Sequence, residues 1–110
     1  MFNDWKDAWR QAVENFQREV RGEGGSPPRV RAMERELVSA SGALGRLDEE
    51  IRRTARDEAG EREQEEVCRR RETLARDAGD DETVRIAVEF AARHAERAAL
   101  LARKLAVMQD

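Results

Sequence analysis

The run VRAMERELVSASGALGRLDEEI, residues 30–51, decides the fold. Val30, Met33, Leu37, Ala40, Leu44, Leu47 and Ile51 recur at spacings that alternate between three and four, which keeps them on one face of a helix. No proline interrupts the chain from there to Ala78, so a single long helix is predicted over that span. At ~1.5 Å per residue such a helix would reach about 75 Å, well beyond the diameter of a small compact domain, so the rest of the chain has to pack along it.

Composition points to the same class. Of 110 residues, 41% are charged, 39% hydrophobic and 5% aromatic, the profile of long-helix and coiled-coil proteins. The net charge of -3 comes from acids and bases interleaved along the whole chain, so there is no single-signed field and no support for nucleic-acid binding. The one cysteine, Cys68, cannot close an internal disulfide, which suits a reducing cytosol. No apolar run approaches the ~20 residues that span a bilayer, and the N-terminal stretch lacks the uninterrupted apolar core of a signal peptide.

Upstream of the long helix, residues 1–21 read as a separate amphipathic helix, with Asn3 or Asp4 placed to cap its first turn. Phe2, Trp5, Trp9, Val13, Phe16 and Val20 fall in a stripe under ~100° wide, and polar residues fill the rest. Two occupants are open to that stripe: the long helix, as ordinary core, or a membrane interface, where Trp and Phe sit at the headgroup boundary. Lys6, Arg10, Arg18 and Arg21 are balanced by Asp4, Asp7, Glu14 and Glu19, so any lipid binding would rest on apolar burial rather than charge. Residues 22–28, Gly-Glu-Gly-Gly-Ser-Pro-Pro, form a hinge, with Ser26 as the N-cap of the long helix and the prolines suited to its first turn.

Downstream, the apolar seam thins after Ile51: between Thr54 and Glu66 only Ala55 and Ala59 are apolar. Gly60, which costs about 1 kcal/mol against alanine inside a helix, marks the place for a kink. Glu66 and Arg70 are spaced to pair across one turn. Glu61, Glu63, Glu65 and Glu66 lack the Glu-x-x-His pattern of a di-iron bundle, because Ala91 stands three residues before the only histidine, His94, and no metal site is assigned. Cys68 beside Arg69, Arg70 and Arg71 has no base or oxyanion donor near it in sequence and reads as a helix-face cysteine. With one His and one Cys, no catalytic residue and no cofactor is assigned.

Gly79 is placed to cap the long helix in a left-handed conformation, with Asp80 or Asp81 as the N-cap of the next. From Glu82 onward Val84, Ala87, Val88, Ala91, Ala95, Ala98, Leu101, Leu105 and Met108 line one wide face, with His94 at its edge as a packing or surface residue. A turn this short makes the two helices antiparallel neighbours. The fold class is therefore all-α: an elongated, coiled-coil-like antiparallel helical hairpin over residues 29–110, turning near 79–81, preceded by the short amphipathic helix.

A first helix opening Met-Phe, a proline-containing hinge, a very long second helix and an antiparallel return resemble the phage shock protein A family of bacterial ESCRT-III-like membrane-remodelling proteins. The most local likeness is at the turn, where Gly79, Asp81, Glu82, Arg85, Ala87 and Val88 fall in the places of the family's glycine, two acidic or polar residues and Arg-x-Ala-Leu-like sequence. The resemblance implies a non-enzymatic scaffold, cytoplasmic and peripheral at the inner membrane, on an anionic or stressed membrane surface. The aromatic stripe would then be the membrane or partner face, and the seam of Val30, Met33, Leu37, Leu44, Leu47 and Ile51 the surface through which copies self-associate. The alternative is a soluble coiled-coil adaptor whose aromatic stripe packs internally or on a protein partner.

Overall fold

The computed structural model describes residues 1–22 and 26–110; part of the expected hinge at 22–28 lies outside the described residues. It contains three helices, α1 (Phe2–Arg21), α2 (Pro27–Asp77) and α3 (Asp81–Gln109), and no strand among the described residues. Two compact units divide the chain: residues 1–51 with 107–110, and residues 52–106.

The ends of these helices follow local chemistry. Neither Asn3 nor Asp4 caps α1: the helix already starts at Phe2, and the first bond runs from the Trp5 amide to the Met1 carbonyl, with no side-chain cap. The long helix starts earlier than the apolar pattern, at Pro27, because a proline in the first turn surrenders only an amide that would be unsatisfied there. Ser26 caps it, its hydroxyl accepting from the Arg29 amide at 3.3 Å. No break occurs at Gly60; α2 runs through it to Asp77, since one glycine penalty is small against a helix of 51 residues.

At the far end the amide of Asp80 donates to the Ala75 carbonyl at 2.8 Å and that of Gly79 to the Arg76 carbonyl at 3.1 Å, with Gly79 at φ +70°. This is a Schellman motif, and it needs a residue that tolerates positive φ. Asp80 at once opens α3: its carboxylate accepts from the Thr83 amide at 3.1 Å and the Thr83 hydroxyl at 2.6 Å. Those two bonds, the hydroxyl first, hold the Asp80 carboxyl below its ordinary pKa. One residue thus ends one helix and begins the next, so the turn is tight and its partners antiparallel.

In the unit of residues 52–106, the face that α2 turns to α3 is not the thinned apolar row expected from Ala55 and Ala59, which are exposed. It continues the seven-residue phase of Val30 and Ile51 through Thr54, Glu58, Glu61, Glu65, Cys68, Glu72 and Ala75. Thr54, Cys68 and Ala75 are buried, so Cys68 belongs to the helix interface. Glu58, Glu65 and Glu72 each pair with an arginine four residues on, Arg62, Arg69 and Arg76, at 3.0, 3.1 and 2.8 Å. Their side chains keep only 21–23% of their exposure, against 71% for Glu66 in its pair with Arg70, so these three carboxylates are drawn into the edge of the interface. The opposing helix admits them because it is small there: Ala87, Ala91 and Ala98 are buried, the last two completely. Val88, expected on this face, is exposed.

Candidate docking surface

In the unit of residues 1–51, α1 folds back along the first half of α2. Glu19 on α1 meets Arg29 on α2 at 2.9 Å, close to the chain reversal, and Trp5 shares a groove with Leu44 at the other end. Trp5 and Trp9 of the aromatic stripe are thereby brought to one groove with Met33, Leu37 and Leu44 of the seam. Phe2, Trp9, Val13 and Phe16 are half-buried, as are Val30, Met33, Leu37, Leu44 and Leu47, while Ile51 is buried. Trp5 and Val20 stay exposed, Trp5 at 45%. Gly79, Asp80 and Asp81 are exposed in the other unit, where they only form the turn.

The packing is incomplete. No residue of α1 is fully buried, because Trp and Phe set against Leu and Met hold two helices apart where alanines would let them close. Beside the contact runs an apolar trough of about 480 Å³. On α1 it is lined by Trp5, Ala8, Trp9, Ala12 and Asn15. On α2 it is lined by Met33, Glu36, Leu37, Ala40, Ala43 and Leu44. Trp5, Ala8, Asn15, Glu36 and Ala40 are all exposed, so the trough is open along its length. The alanines and Asn15 were not visible as a site from the apolar periodicity, because alanine contributes little to such a pattern and only neighbouring bulk turns it into a floor.

The chemical groups of the other unit are occupied. His94 on α3 bonds through Nδ1 to Glu61 Oε2 on α2 at 2.5 Å, part-buried, a side-chain hydrogen bond that links these two helices. Glu61 stood in sequence with the acidic run rather than with His94, and the seven-residue phase from Thr54 is the signal that places it in the interface. Cys68, the chain's only thiol, is buried. Among the described residues no three His, Cys, Asp or Glu side chains are grouped to hold a metal ion, and no helix is long and apolar enough to cross a membrane.

Arg93 stacks over Phe90 at 5.3 Å and pairs with Glu89, so the exposed apolar residues Ile86, Phe90 and Leu100 of α3 are interrupted by charge. No protein-family model matches this chain, and no curated protein and no solved structure matches it either.

Proposed function

We propose that this chain is a non-catalytic helical scaffold that binds a protein partner through the unit formed by α1 and the first half of α2. The observation that carries this reading is the aromatic stripe lying against α2 with an open apolar trough beside it. The burial of the one thiol agrees with a role in binding rather than in thiol chemistry. The partner surface then comprises the trough, which takes in Met33, Leu37 and Leu44 of the seam together with Trp5 and Trp9 of α1.

A second reading keeps the membrane surface as the partner, in the manner of the phage shock protein A resemblance, with α1 leaving α2 to lie on lipid. One observation favours it: no residue of α1 is fully buried, so its release forfeits less packing than release of a helix with a buried core would. Tryptophan emission separates the two, because both tryptophans are in α1. The protein-binding reading expects emission unchanged on adding vesicles of phosphatidylglycerol and phosphatidylethanolamine. A blue shift that survives moderate salt would overturn it in favour of the membrane.

A further inference from the structure

We infer that the trough between α1 and α2 is covered by the same trough of a second copy, closing a two-fold four-helix bundle. The inference rests on the protein-binding reading above and names its partner.

The chain has surface to spare for such a contact, exposing 8066 Å². A folded monomer of its 12.6 kDa mass exposes roughly 6,200 Å². The surplus, roughly 1,900 Å² over the chain as a whole, is larger than the ~800 Å² that each partner contributes to an ordinary stable interface. A pair of helices is moreover a single layer, and an amphipathic layer needs a second one against its apolar side.

The trough also has the composition of an interface. Of the eleven residues lining it only Glu36 is charged, in a chain where 41% of residues are. Depletion of charge with enrichment in Trp and Met, here Trp5, Trp9 and Met33, distinguishes the core of a protein interface.

Its two ends complement each other. Trp5 and Leu44 stand at one end of the trough, Asn15 and Glu36 towards the other, and Ala8, Ala12, Ala40 and Ala43 between them. A two-fold axis in the plane between the layers and at right angles to the helices makes the interface isologous and sets the two troughs antiparallel. Each Trp5 then meets the end that carries the partner's Asn15 and the partner's Glu36. The indole has an N–H to donate and those side chains have oxygens to accept it, while the alanine floors allow close approach of the layers.

The test uses the full chain in lipid-free buffer. Light scattering coupled to size exclusion is expected to give twice the 12.6 kDa of one chain, and the thermal midpoint is expected to rise with protein concentration. Ala40→Glu places a charge on the trough floor and should return the monomer mass, with helicity by circular dichroism unchanged. Should that variant lose helicity, Glu36→Lys at an exposed position decides instead: it should raise the dimer dissociation constant about tenfold or more, while Glu36→Gln leaves it nearly unchanged. Leu100→Glu on α3 should leave the dimer intact. A wild-type monomer at every concentration, a dimer indifferent to both Ala40→Glu and Glu36→Lys, or one abolished by Leu100→Glu would each overturn the inference. A lipid-free monomer whose emission ignores vesicles defeats the dimer alone and leaves the protein-binding reading standing; a lipid-induced shift defeats that reading itself.

Discussion

Between Val30 and Leu47 the seam of α2 is built of large aliphatic residues, and none of them is fully buried; between Thr54 and Ala75 it is built of threonine, four glutamates, a cysteine and an alanine, and three of these are buried. Burial thus runs opposite to hydrophobicity along one helix. The partner decides it. α3 offers alanines, which bring two backbones close enough for short side chains to lose all contact with water. α1 offers tryptophan and phenylalanine, which contribute apolar area but leave a trough beside them. A closely packed pair can admit carboxylates at its edge when each has an arginine four residues on, since the ion pair is assembled within α2 and needs no group from α3.

If close approach through alanine is what holds the second unit, adding bulk there should do more harm than removing bulk in the first. Ala98→Leu, at a fully buried position, is expected to cost about 2–3 kcal/mol in urea unfolding, whereas Leu37→Ala, half-buried beside the trough, should cost no more than about 1–2 kcal/mol. Equal costs would erase the distinction between the units.

A smaller effect of opposite sign is expected from Glu65→Leu. Replacing an ion-paired carboxylate at the interface edge by an apolar residue should be neutral or stabilise by about 1 kcal/mol, read as a higher urea midpoint. A loss of more than about 1 kcal/mol would mean that the repeated pairs contribute to the hairpin rather than being tolerated by it.

The smallest expected effect is at the turn. Because its bonds to Thr83 lower the folded-state pKa of Asp80 below 3.8, the cap's contribution is complete above the ordinary carboxylate pKa and fades as pH falls through the lowered value. Asp80→Asn keeps a capping side chain that does not titrate, so the difference in thermal midpoint between wild type and variant should change with pH below about 4 and be flat above about 5. A difference that stays constant down to pH 2 would remove Asp80 from the hairpin's pH response.

The sequence by itself determined three helices, the place of the turn at Gly79 and the phase of the seam from Val30 to Ile51. These depend on short-range rules: proline and glycine punctuation, capping side chains, and apolar spacing strong enough to be read from residue order alone. The Schellman turn is legible because only glycine takes φ +70° without strain. The continuation of the seam through Glu58, Glu65 and Glu72 was present in the same residue order as a seven-residue spacing with arginine four residues on, but carboxylates ordinarily mark the wet face, and only the small opposing face of α3 makes them interfacial. Tertiary structure alone decided that α1 lies on α2, that Glu61 meets His94 across thirty-three residues, and that alanines between two tryptophans and a methionine become the floor of a trough. The physical reason is common to all three: what a small or charged side chain does depends on the size and chemistry of the surface that comes to face it, and that surface is supplied from elsewhere in the chain.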